Sequence, residues 1–319
     1  TRSLMIFGQG AILCHPWVMK EMKAAQDPDR KAGLQEFDRS LFGHIRYGIS
    51  NAVRSFWFGL TGARFGAAPG DAYTRRYFRK LDRYSANLAL MADISMMTLG
   101  GKLKFKESLS GRLGDVLSHV YMTSAMLKRY HDEGAPAADQ PLLAWAFHDS
   151  VHKIEESLSA ALRNFPIRPI GWLMWLLIFP LGRRAEAPGD RLSRRVAALL
   201  MAPNEARDRL ADGVFMTPCE NNPGGRINSY LAKAIMAEPV ERKFLKALKS
   251  KGIEALDYNK QLDEAVAEGV LTQDERSLLE ELRAITLEAI TVDDFDTHEL
   301  RSAGYYDLPR KETGSQQAA

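Results

Sequence analysis

The stretch Ser85-Ala86-Asn87-Leu88-Ala89-Leu90-Met91-Ala92-Asp93-Ile94-Ser95-Met96-Met97-Thr98-Leu99 presents apolar side chains on nearly every side of a helical projection. A helix that is apolar all round belongs in the middle of a bundle. Its end is set by Gly100-Gly101, and upstream Asp71 is a candidate N-cap. The same three- and four-residue apolar spacing extends through almost the whole chain, while alternating β-branched runs are nearly absent. The fold class is therefore all-α: a helical bundle plus a second, smaller helical layer.

Working outward from that helix, the spacing predicts neighbours over residues 34–60 and 105–131, the latter carrying Leu109, Leu113, Val116, Val120 and Leu127. A first helix covers residues 3–22, kinked by Pro16 or restarted after His15, and Asp27-Pro28-Asp29 breaks it. Pro141 opens a helix running to Asn164, after which Pro166, Pro169 and Pro180 punctuate a short apolar run. Beyond Asp190, shorter amphipathic helices alternate with breakers such as Pro203, Gly213, Pro239 and Gly269. Thr272-Gln273-Asp274-Glu275 is a capping-box pattern opening the last long helix, which ends near Ile290. The expected division is a bundle region over 1–136, a helical extension over 137–310 and a disordered tail over 311–319.

Of the 319 residues, 45% are hydrophobic and 26% charged, as in an ordinary globular chain long enough for a substantial core. A formal net charge of +3 is too small for the broad positive field of a nucleic-acid-binding protein, so no nucleic acid is expected as a partner. Cys14 and Cys219 alone cannot build a disulfide framework or a multi-cysteine zinc site, and a reducing cytoplasm fits. The start Thr1-Arg2-Ser3 has no signal-peptide progression and reads as a piece of something longer.

Several long strings carry a family likeness. Arg2-Ser3-Leu4-Met5-Ile6-Phe7-Gly8-Gln9-Gly10-Ala11-Ile12, followed by Cys14-His15-Pro16, resembles the end of the catalytic unit in the long-chain acyl-CoA dehydrogenases of bacterial fatty-acid degradation. Val53-Arg54-Ser55-Phe56-Trp57, the run from Ser85 to Gly101, and Ser110-Gly111-Arg112-Leu113-Gly114-Asp115-Val116-Leu117-Ser118 strengthen the match. Asn164-Phe165-Pro166, Ile178-Phe179-Pro180-Leu181-Gly182-Arg183 and Thr291-Val292-Asp293-Asp294-Phe295-Asp296 look like that family's C-terminal extension.

The resemblance implies an FAD-dependent parent enzyme of fatty-acid β-oxidation that dehydrogenates medium- or long-chain acyl-CoA to trans-2-enoyl-CoA. It implies an acyl-CoA substrate, an electron-transfer acceptor and a possible homo-oligomer. In the family a glutamate opening a Glu-Gly-(Ala or Thr)-Asn motif removes the α-proton, and by alignment it belongs just before Thr1. Most flavin and CoA contacts also belong upstream. The resemblance therefore assigns no catalytic residue within this chain, leaves its cofactor-binding residues unknown, and gives Arg2 a structural ion pair rather than proton transfer.

His148 and His152 stand one helical turn apart, as in helical zinc sites, but lack a third ligand; a polar helix face continuing into Glu155 and Glu156 is expected, with no metal. Residues 74–83 concentrate five cations among aromatics and read first as a solvated face, otherwise as an anion site. Asp93, with Arg112 and Asp115 on the next helix, reads first as part of a structural ion pair linking the two helices, because a buried charge is costly alone, and otherwise as an active-site group.

The sharpest local feature is the uninterrupted apolar run over residues 170–179, flanked by arginines. It is too short to cross a bilayer, which takes roughly 20 residues. It could instead lie in one leaflet on the inner face of the cytoplasmic membrane, with Arg168, Trp172, Leu173, Trp175, Leu176, Phe179, Arg183 and Arg184 as the contacts. Burial against the bundle, or use in pairing subunits, is the competing expectation. A non-catalytic membrane-docking or subunit-assembly module is thus the alternative to a dehydrogenase fragment.

Overall fold

The computed structural model describes Gly10 and residues 13–219, 222–251 and 257–291. Those residues form twelve α-helices and two short 3-10 turns, with no strand among them. The chain divides into two compact units, Thr1–Ala202 and Pro203–Ala319. The expected boundary near 136 falls inside the first unit, because the helices on either side of it pack against each other. Arg2, the tail over 311–319 and residues 292–296 lie outside the described residues.

The first unit contains α1 (Val18–Ala25), α2 (Arg30–Thr61), α3 (Arg75–Leu99), α4 (Glu107–Asp132), α5 (Gln140–Arg163), α6 (Arg168–Ile178) and α7 (Asp190–Leu200). Pro16 restarts the first helix rather than kinking it. His15 caps the restart, its Nδ1 accepting from the backbone N–H groups of Trp17 (3.2 Å) and Val18 (3.1 Å). Asp29 caps α2 through Lys31 and Ala32, and Gly62 ends it in the left-handed conformation at φ 62°. Asp71 works one turn before α3, its Oδ1 accepting from the N–H and hydroxyl of Thr74 at 2.7 and 2.6 Å.

The all-round apolar helix is central, as its composition predicts. Tyr77, Leu81, Tyr84, Leu90 and Met91 of α3 join Leu113, Val116 and Leu127 of α4, and Phe147, Ile154 and Leu158 of α5, in one core. α1 packs on α2, α2 on α3 and α6, and α6 on α5. Close approach is purchased by small residues: a Cβ on Gly59 of α2 would stand 2.6 Å from Pro180 Cδ.

α2 has an inverted face. Its buried residues are Gly33, Ser40, Asn51, Ser55 and Gly59, while Leu34, Phe42, Ile45, Ile49, Val53 and Trp57 are exposed. From Leu34 to Trp57 that apolar stripe runs about 35 Å.

The second unit contains α8 (Glu205–Ala211), α9 (Pro223–Ser229), α10 (Leu231–Lys251), α11 (Tyr258–Ala267) and α12 (Gln273–Ile290). Ala237, Phe244, Leu262, Ala265, Leu271 and Leu279 make its core. The capping box is present: Thr272 Oγ1 accepts from Glu275 N (3.1 Å) and Glu275 Oε2 from Thr272 N (2.9 Å). Pro239, expected to break the chain, lies inside α10. The packing of Ala237 and Phe244 on either side holds the helix through the lost hydrogen bond.

Candidate functional site

The run over 170–179 becomes α6 and splits by face. Trp172, Leu173 and Leu176 are exposed at 68%, 57% and 55%, whereas Met174, Ile178 and Phe179 are buried. Phe179 is therefore no membrane contact: it lies just past the end of the helix, turned into the core, with the half-buried Trp175 ring 5.3 Å away. Arg168, Arg183 and Arg184 are exposed. No helix among the described residues is long and apolar enough to cross a membrane.

Two expected solvated faces are solvated only in part: Arg75, Arg76 and Glu156 are exposed, while other members act as anchors. In the basic segment, Arg83 is buried and donates to Ile178 O at 3.1 Å, Arg79 donates to Gly66 O at 2.8 Å, and Arg76 lies over the Tyr73 and Tyr77 rings. Glu155, expected on a polar face, is completely buried. Its Oε1 accepts from Tyr84 (2.9 Å) and stands 3.5 Å from Arg83, while Oε2 accepts from the backbone N–H groups of Arg184 and Ala185, each at 2.9 Å. His152 Nδ1–H donates to Ala185 O at 3.1 Å, which ties that imidazole to the same backbone segment. The geometry marks this network as structural.

Asp93 has neither Arg112 nor Asp115 as its partner. It faces His15, 78 positions away in sequence, with Nε2–Oδ1 at 3.0 Å. Beside it, His44 Nδ1 meets Glu21 Oε1 at 2.9 Å, and the rings of His15 and His44 are 4.4 Å apart. Burial pushes the Asp93 carboxyl up and the His15 imidazole down, each partly offset by the other's charge.

Glu21, His44 and Asp93 form the polar corner of a cleft of about 790 Å³. Its walls come from α2 (Leu41, Ile45, Gly48, Ile49), α3 (Leu90, Ile94, Met97) and α6 (Ile170, Leu173, Met174), with no Lys or Arg in the lining. Volume and apolar lining are those of a small-molecule pocket. Sequence reading missed it because its polar residues sit on three elements with no shared motif; the one available signal was Asp93 in an otherwise apolar helix.

Ligand atoms of His15, His44 and Asp93 lie within 4.8 Å of one another, a spacing that could gather a metal ion. His44 is oriented for it, since its Nδ1–H donates to Glu21 Oε1 and leaves Nε2 free. His15 is not. Two backbone N–H groups occupy its Nδ1 lone pair, so the proton of the neutral ring sits on Nε2, the atom that would have to bind metal. Only two of the three side chains are ready to coordinate.

Residues 12–295 match the family described as acyl-CoA dehydrogenase, C-terminal, bacterial type. The chain belongs to that family. No solved structure matches it. Acyl-CoA dehydrogenases are generally FAD-dependent, and this cleft does not suit FAD. The cofactor carries an anionic diphosphate, whereas the corner offers two carboxylates and the lining no cation.

Proposed function

We propose that this chain is the C-terminal part of an acyl-CoA dehydrogenase that converts medium- or long-chain acyl-CoA to trans-2-enoyl-CoA in fatty-acid β-oxidation. The proton-abstracting glutamate and most contacts to FAD and CoA are supplied by polypeptide preceding Thr1. Electrons leave to a separate acceptor protein, and the enzyme works in the cytoplasm. The reading rests on the family match over residues 12–295. The inverted face of α2 supports it, because Phe42, Val53 and Trp57, large apolar side chains exposed outside the cleft, call for a further partner.

The chain alone is expected to be colourless and inert towards palmitoyl-CoA. Joined to the polypeptide encoded immediately upstream, it should show flavin absorbance that bleaches with palmitoyl-CoA. Bleaching by the chain alone, or an upstream sequence without Glu-Gly-(Ala or Thr)-Asn, would sink this reading.

A second role is favoured by α6, where Trp172, Leu173 and Leu176 are exposed, Arg168 lies near Trp172, and exposed Arg183 and Arg184 follow in sequence. Apolar side chains flanked by arginines are suited to an anionic leaflet, and equally to pairing of subunits. Sedimentation with anionic liposomes separates the two. Trp172→Asp with Leu176→Asp should abolish co-sedimentation of a folded protein if the face meets lipid. If the face pairs subunits, the same variant should instead lower the oligomeric mass.

A further inference from the structure

Asp93 is the unexplained group of the cleft. Its side chain is nine-tenths buried, at 10% exposure, and neither carboxylate oxygen has a hydrogen-bond partner. His15 Nε2–H stands 3.0 Å from Oδ1 without the alignment of a full hydrogen bond, and Oδ2 has no donor at all. His15 therefore leaves the carboxylate unsaturated. A buried carboxylate left in this condition is costly unless something else donates to it.

The neighbouring side chains define what that something is. His44 Nδ1–H donates to Glu21 Oε1 at 2.9 Å, which leaves Nε2 as the acceptor nitrogen of the neutral ring. The corner therefore presents acceptors: the Asp93 oxygens and His44 Nε2. It carries two carboxylates, and no Lys or Arg lines the cleft. The rest of the lining, from Leu41 and Ile45 to Ile94, Met97 and Leu177, is apolar apart from Thr98, whose hydroxyl donates to Ile94 O at 2.6 Å.

We propose that this cleft binds a single-chain amphiphile whose alkyl body fills the apolar walls and whose head donates hydrogen bonds to Asp93 without carrying negative charge. Alcohol, amide and ammonium heads qualify. Carboxylate, phosphate and sulfate heads do not, because they bring acceptors and negative charge to a corner already furnished with both. The site is separate from FAD binding, and its test does not depend on dehydrogenase activity.

Calorimetric titration of the whole chain with decylamine, decanol and decanoate, at mildly alkaline pH and below their aggregation thresholds, tests the head-group rule. The amine and the alcohol should each bind a single equivalent, and decanoate about tenfold more weakly or worse. Gly48→Leu is the space-filling control. Gly48 lines the cleft and a Cβ there meets nothing within 4 Å, so the variant should bind no probe while melting no lower than the parent. Asp93→Asn, which puts an N–H in the corner, should narrow the gap between decylamine and decanoate.

Decanoate binding as tightly as decylamine would overturn the proposal. So would undiminished binding to a folded Gly48→Leu variant, since the probes would then be coating the exposed apolar faces. Displacement of decylamine by equimolar zinc would also overturn it, in favour of a metal held by His44 and Asp93.

Discussion

Glu155 has no solvent exposure, yet its oxygens accept from Tyr84 and from two backbone N–H groups and face the Arg83 guanidinium. Replacement by Leu would strand a buried Arg83 and two backbone donors. Urea unfolding of Glu155→Leu should show a loss of about 3–5 kcal/mol, and Tyr84→Phe a smaller loss of about 1.5–3 kcal/mol. If Glu155→Leu were no worse than Tyr84→Phe, the pair would have no structural role. Histidines give the molecule a pH slope. Burial holds His15, His119 and His148 below the ordinary value of 6.5. As pH falls through 6.5 the unfolded chain takes up protons that the folded chain resists, so stability falls with pH. Asp82 and Asp93, raised by burial, oppose this only towards the carboxylate range. The urea midpoint should therefore drop between neutral pH and about pH 5.5, with a shallower slope in His119→Gln.

Helix α2 puts two glycines in opposite situations. At Gly59 a new Cβ would press on Pro180 Cδ at 2.6 Å and Cγ at 2.8 Å, so Gly59→Ala must force α2 away from the end of α6. At Gly48 the same methyl meets open space. Thermal melting should show Gly59→Ala destabilised by about 1–3 kcal/mol and Gly48→Ala neutral or up to about 1 kcal/mol more stable; equal effects would place the close contact elsewhere. The same contrast explains what the sequence disclosed. Helix positions followed from period and punctuation, as with Gly100 after Leu99, Pro141 at the start of α5 and the Thr272 capping box. Those signals are local. Arg83 and Glu155 carry no local mark of burial, and Asp93, marked by its apolar helix, carries no mark of His15 as its neighbour, because these partners lie on other segments of the chain. Phe179 deceived for a related reason: a run apolar on all sides does not reveal which face is turned inward, or that its last residue leaves the helix.

On the scale of the whole molecule, charge is nearly balanced at +3, so cohesion rests on apolar burial. That burial is divided between two sets of residues. One surrounds Met91, Leu113, Phe147 and Leu158; the other surrounds Phe244 and Leu262. The second set is small, and its surface pairs, Lys243 with Glu275 at 2.9 Å and Arg276 with Asp263 at 2.7 Å, are exposed enough to add little. Phe244 therefore carries a large share of that unit's stability. Truncation to Ala removes a fully buried ring and should cost about 3–5 kcal/mol there. Hydrogen exchange followed by mass spectrometry reads the effect segment by segment. Phe244→Ala should strip protection from α10, α11 and α12 while α3, α4 and α5 keep theirs. Phe147→Ala should do the reverse. Loss of protection in both sets from either substitution would mean that the two cores open as one cooperative body, contrary to the division of the chain after Ala202.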